Sequence, residues 1–526
     1  MNRKRNIIPL LQTTAARVGP PGRLLLAAAC GAASGFFLWA LGADPLDLSS
    51  LFFLNNVTEG VRMRLLAFVL AGSLLALLLW VLAFALLPLE PEARERVQRK
   101  WSGLAALGIV PGFWPLLGIR AIEVFHPFPT FCLLVGMLAV LFLAVRRLAA
   151  VPGLAAGPGA GAQRWCFPAV LALVVGYAVF FGVYTVRKHL AFHSYAFDLG
   201  WQNQAIWTLL HTGNPRVTGY LTILHFSNHF QPLYYLLAPV YAIRQDPATL
   251  LVLQAALLPT GAIPLFLIAR RKLGSSWIAL VAAAVYLLYP ALHGMNTYDF
   301  HGLVLLVPIL CTLLWFLETG RTRWYWAFFV LALITREDAP ITLSGVALYQ
   351  WLALRRPRPG LAGLAACVGY FLLTSAVMRA LGGYPNLQNY WDLVLPEHQT
   401  WTGVGLTLLT NPFFAFRHAF FDPGKLVYLL QLFTPVAFLP LFSGRKMILM
   451  APGLAIILLS GHSPQYSIGF QYSAHLVATV SFLAICGFEN IRTRWPRTPA
   501  VAIAVTLLAA GLVMNWEYGL VLSKRF

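Results

Sequence analysis

An acid, a pair of histidines, an acid–histidine pair and an arginine between acids are the groups in this chain best suited to chemistry. The acid is Asp198, in the stretch His193–Pro232, HSYAFDLGWQNQAIWTLLHTGNPRVTGYLTILHFSNHFQP. This stretch also carries Gln202, Asn203, His211, Arg216, His225, Asn228 and His229, with Trp201 and Trp207 interleaved. Carboxylates such as Asp198 can take a proton from an attacking hydroxyl. His225 and His229 are spaced i, i+4, which puts both on one face of a helix and suits a site for a divalent metal ion. Asp299 and His301 are spaced i, i+2 and frame a turn. Arg336, followed by Glu337 and Asp338, offers a planar cation suited to phosphate, unless its neighbours neutralise it. Gln471, Tyr472 and His475 complete the set.

These groups interrupt a chain that is otherwise strongly apolar. It has 526 residues, 59% of them hydrophobic and 11% charged, where a soluble domain has about 25% charged. Its mean hydropathy is +0.71. Long apolar runs recur, so the chain reads as an all-α, polytopic integral membrane protein with about 14–16 transmembrane helices, at about 20 residues per span. The net charge of +20 sits at segment ends, as loop topology requires, and no loop is long enough for a basic nucleic-acid-binding domain. The six cysteines lie in or beside apolar runs without paired spacing, so they read as packing residues.

Basic clusters fall at every second junction. Arg3–Arg5 precede a retained first span at about 23–42, and further clusters follow near Arg94, Arg146, Arg271, Arg321, Arg356, Arg445 and Arg494. With cationic loops inside, the N-terminus is cytoplasmic, and all five polar clusters fall on the outer face. Ionisable groups at membrane depth are costly and usually mark a site. The chain divides into a four-span module (1–148, with spans near 23–42, 64–88, 102–119 and 128–145), a Gly/Ala/Pro linker (149–165) and a main module (166–526). The main module has a large outer loop over 188–231. The short stretch 232–243 reads as an interfacial helix.

Several motifs carry a resemblance. FDLGxxxQxxW (Phe197–Trp207), HFSxxxxPLYYLLAP (His225–Pro239), a helix ending ARRKLG, YDFH (Tyr298–His301) and TREDA (Thr335–Ala339) resemble an uncharacterised prokaryotic family of polytopic membrane proteins. That family is similar to the GT-C class of membrane glycosyltransferases, which use polyprenyl-phosphate sugars. The resemblance spans about 166–490. It implies a GT-C-like core with juxtamembrane helices on the outer face, and a first-loop acid at Asp198. One acid stands there, where several GT-C members have a pair.

What this implies is sugar transfer from a polyprenyl-phosphate lipid to an acceptor on the outer face. Asp198, Asp299 and His301 are the expected catalytic groups. Arg336, Glu337, Asp338, Gln202, Tyr472 and His475 are the expected substrate-binding groups, with Arg336 as phosphate clamp. The other class of function compatible with these residues is a non-catalytic transporter or lipid-binding protein of the same architecture.

Overall fold

A computed structural model describes residues 17–44, 47–48, 57–86, 88–117, 127–151, 159–218, 223–383 and 387–523. Among these, helices dominate, and the β-structure is one short ladder pairing Arg216 with Leu224 and Val217 with Ile223. Among the described residues, eight helices are long and apolar enough to cross a membrane. The bent pair Ser276–Leu287 and Pro290–Tyr298 adds a ninth if it counts as one span. The expected number was higher because several apolar runs are divided. Short 3₁₀ turns containing Pro435 and Pro440, and a third over Gly444–Leu449, separate the helices Pro423–Phe433 and Ala451–Leu458. Proline lacks the amide hydrogen that a continuous helix needs.

The chain separates into two compact units. One comprises Met1–Gly157 and Trp495–Ala509, the other Pro158–Arg494 and Ala510–Phe526. The sequence reading placed the whole last span in the second module; its first half is grouped with the first unit instead.

In the first unit, helices Pro21–Gly42 and Glu59–Leu86 touch through backbone. A Cβ at Gly31 would lie 2.1 Å from the Gly72 carbonyl oxygen, and one at Gly35 2.1 Å from that of Phe68. Small residues at such spacing let membrane helices approach closely. The expected span at 102–119 is not one helix. A helix runs over Pro91–Leu107, then a 3₁₀ turn over Val110–Phe113, because Gly108, Pro111 and Gly112 break the apolar run.

The second unit alternates between two ends. At one end Lys272 Nζ lies 2.6 Å from Glu318 and 3.7 Å from Glu489, Lys446 lies 3.2 Å from Glu489, and Arg492 donates to the Leu273 carbonyl. Three basic junctions, at Lys272, Lys446 and Arg492, therefore meet there around Glu318 and Glu489. At the other end, Lys188 Nζ donates to the Thr297 and Tyr298 carbonyls, joining the ends of Cys166–Leu190 and Pro290–Tyr298. The Leu233 amide donates to the Ile334 carbonyl, docking the short helix Leu233–Tyr241 beside the TREDA turn. Beneath lies a buried cluster including Leu199, Ile206, Tyr234, Tyr241, Leu250 and Phe300. This apolar floor fixes the loops that carry the polar groups.

Candidate functional site

Asp198 sits in a single π-helical turn, Ala196–Gly200, that opens the helix Trp201–Thr212. Such turns shift side-chain phase by one position and recur at functional sites. Its Oδ2 accepts a hydrogen bond from the Tyr298 hydroxyl at 2.6 Å, and its Oδ1 lies 3.5 Å from His301 Nε2. Burial pushes the Asp198 carboxyl up, but contacts from His301 and Tyr298 outweigh it and hold the group below its ordinary value. Two motifs about a hundred residues apart, FDLG and YDFH, are thus brought together.

The YDFH turn is positioned by Gln254, a fully buried residue in the helix Pro247–Leu257. Its Nε2 donates to the carbonyls of Met295, Asn296 and Asp299, and its Oε1 accepts from the His301 amide. Leaving a buried partner of this kind unsatisfied costs about 1–3 kcal/mol. Sequence reasoning passed over Gln254, since one amide in an apolar span carries no motif.

A cavity of about 600 Å³ opens above Asp198. Gln202, His229 and His301 line it with Asp198, and Gln471 and Tyr472 form a further part of its wall. Another wall was not anticipated. It consists of Gln388, Asn389, Trp391 and Asp392, on a 3₁₀ turn over Leu387–Leu393, together with Gly461 and His462. The Asn389 carbonyl accepts from the Gly461 amide at 2.8 Å, which ties the two segments. A Cβ at position 461 would lie 1.9 Å from Asp392 Oδ2, so glycine makes room for that carboxylate. Nothing in the sequence around Asp392 singles it out.

Other expected site residues lie behind the cavity wall. Asp299 is buried, with Oδ2 accepting from the Tyr195 amide at 2.8 Å and Oδ1 3.7 Å from Lys188. Burial raises its carboxyl above the ordinary value despite both partners. It braces the start of the Asp198 loop and does not line the cavity. Arg336, expected as a phosphate clamp, is 3% exposed and grips the Asp338 carboxylate through Nε and Nη2. Its guanidinium lies 5.5 Å from the Tyr472 ring centre, so its charge borders the cavity through that ring. His475 also belongs to this inner layer, with Nε2 3.4 Å from Asp338 and Nδ1 2.7 Å from the Thr342 hydroxyl. Glu337 accepts from His229 Nδ1 at 2.9 Å and from the Phe230 amide at 3.0 Å. Glu337 therefore orients a histidine that does face the cavity.

The i, i+4 histidines do not form a ligand pair. The segment His225–Asn228 is helical for one turn only. His225 is fully buried, and both its ring nitrogens are taken. Trp201 Nε1 donates to Nδ1 at 2.7 Å, so the Nε2 hydrogen donates to Gln231 Oε1 at 2.9 Å. Among the described residues, no group of three or more His, Cys, Asp or Glu is arranged to hold a metal ion.

Burial pushes the His225 imidazole down to about 3. The folded state therefore keeps it neutral while the unfolded chain takes up a proton below about 6.5. Its contribution to stability is complete above pH 6.5 and is lost as pH falls from there towards 3. Thermal midpoints measured at pH 8, 6 and 4.5 should fall progressively. A His225→Asn variant, less stable at pH 8, should lose less on acidification; an equal loss would show that other groups set the slope.

The helical spans and the polar cavity at one end of the helical unit define a polytopic α-helical membrane protein. A family model matches residues 188–523, well over half of the chain. The chain belongs to the DUF2079 family of predicted membrane proteins. No curated protein matches it.

Proposed function

We propose that this protein is a membrane glycosyltransferase that moves a sugar from a polyprenyl-phosphate donor to an acceptor hydroxyl. The observation that carries the reading is Asp198, an ionised carboxylate held by Tyr298 and His301 at the floor of a roomy polar cavity. In the transfer, the acceptor oxygen bonds to the anomeric carbon as the bond from that carbon to the phosphate oxygen breaks. The electron pair leaves with the lipid phosphate, and Asp198 takes the acceptor's proton.

A groove on the helix Cys166–Leu190 supports the lipid part of this reading. Val179, Phe180, Val183 and Tyr184 line its apolar length, and Arg187, Lys188 and His193 line its polar end. Lys188 is bound to the Tyr298 carbonyl, and the Tyr298 hydroxyl to Asp198. A lipid phosphate at the cationic end would thus lie beside the acid, with its sugar directed into the cavity. Such cations offset the charge that develops on a departing phosphate.

The cavity faces the outer side of a prokaryotic inner membrane in this reading, with the N-terminus cytoplasmic. A single cysteine introduced at exposed His193, in a cysteine-free background, should react with an impermeant maleimide added to intact cells. One at exposed Arg321 should not. The reverse pattern would invert the orientation. The activity itself is tested with purified protein in lipid nanodiscs and radiolabelled polyprenyl-phosphate sugars. Label should leave the lipid fraction, and lipid-linked sugars should accumulate in cells lacking the gene. Binding of the lipid without transfer would favour a lipid-binding role instead.

A further inference from the structure

The cavity lining has a chemical character that the transfer reading does not require. Among the described residues it contains two carboxylates, Asp198 and Asp392, three histidines, His229, His301 and His462, and neither lysine nor arginine. Its hydrogen-bonding groups are largely neutral: the amides of Gln202, Asn228, Gln388, Asn389 and Gln471. Gln471 is 7% exposed, and its Oε1 has no hydrogen-bond partner among the described residues. A buried acceptor left open at a cavity wall is a vacancy for a ligand donor. Trp391, 45% exposed, and Trp201 offer aromatic faces beside these amides.

The lysine and arginine side chains around this cavity turn to other partners, Lys188 to the Thr297 and Tyr298 carbonyls. Arg336 grips Asp338 beneath Tyr472. Lys425, behind the Asp392 wall, donates to the His418 carbonyl at 3.0 Å and lies 5.4 Å from the Tyr466 ring centre. An anionic ligand entering the cavity would thus meet carboxylates without a facing lysine or arginine, while His301 and His229 are already engaged by Asp198 and Glu337, and an unpaired charge in a partly desolvated site is costly. A ring with many hydroxyls and an apolar C–H face fits amides, carboxylates and indoles together. Hydroxyls can donate to Asp392 and Gln471, and the ring face can lie on Trp391.

We infer that this cavity takes a sugar ring without an acidic group, either neutral or amine-bearing, and that Asp392 is the residue that turns anionic sugars away. The inference rests on the cavity as the sugar site of the proposed transferase and names the class of sugar it accepts. Asp392 is a specificity-determining residue in this account, and its position on an exposed 3₁₀ turn makes it replaceable without disturbing the helical core.

The test uses the full chain in lipid nanodiscs and saturation-transfer NMR with methyl glucoside, glucosamine and glucuronate as probes. Methyl glucoside and glucosamine should bind, with glucuronate at least about tenfold weaker. Asp392→Asn should reduce the preference for glucoside over glucuronate by about threefold or more, since it removes charge and keeps shape. Trp391→Ala should weaken both sugars in parallel and leave their ratio unchanged. Glucuronate binding as tightly as glucoside in the wild type would overturn the inference, as would binding of no probe, or a ratio that Asp392→Asn does not move. Transfer of an acidic sugar by the protein would remove the inference and keep the transferase. Discrimination in binding without any transfer would keep the inference and remove the transferase.

Discussion

Replacing Asp198 with asparagine should lower sugar transfer by about 10²–10⁴-fold, the range typical of a lost general base. Asparagine keeps the size of the side chain and can still accept from the Tyr298 hydroxyl, so the turn Ala196–Gly200 should hold. Purified yield and thermal midpoint should change little, and donor-lipid binding should persist. The pH profile carries a second signature. The Asp198 carboxyl lies below its ordinary value, so in the folded protein it is ionised throughout the neutral and mildly acid range. An acid limb in the rate due to this group should therefore fall below the ordinary carboxylate value of about 3.9. Full transfer activity in Asp198→Asn, measured with a radiolabelled lipid donor, would remove Asp198 from catalysis.

Replacing Asp338 with asparagine should be among the most damaging single changes for folding. Arg336 is buried, and its Nε and Nη2 both bond the Asp338 carboxylate. Removing one partner of such a pair leaves a buried charge uncompensated, at a cost of about 3–5 kcal/mol. Folded yield and thermal midpoint should drop sharply. The double change Arg336→Met with Asp338→Leu should recover much of that loss, because it removes both charges together. An alternative outcome would restore Arg336 to the role its sequence suggests: a normal midpoint in Arg336→Lys with selective loss of donor-lipid binding. The geometry supports the structural role, since Arg336 meets the cavity through the Tyr472 ring.

The two residues illustrate how differently a motif can resolve. FDLG and TREDA looked alike as polar interruptions of apolar sequence. Asp198 emerges into the cavity because the π-helical turn and Gln202, one helical turn later, present the same face. Arg336 turns inward because Asp338, two residues on, can reach its guanidinium within one short turn. Charge and spacing allowed either outcome for both. His225 and His229 diverge for a related reason. Trp201 and Gln231 saturate the first, while Glu337 orients the second at the cavity wall.

By itself the sequence determined that this chain is a helical membrane protein and that its polar groups concentrate in a few loops. Those properties follow from local composition: transfer of an apolar run into lipid is close to additive over its residues, and charges at the ends of a run need no distant partner. The tertiary structure alone decided which polar groups share a cavity. Gln254 reads as one amide in an apolar span until the Asp299 carbonyl and His301 amide are seen against it. Asp392 reads as one acid in a long loop until the helices bring it to Gly461, opposite residues some two hundred positions earlier in the chain. Side-chain direction depends on helix phase, on where proline breaks a span and on which buried group needs a partner. These are properties of packed neighbours, and no local window of sequence contains them.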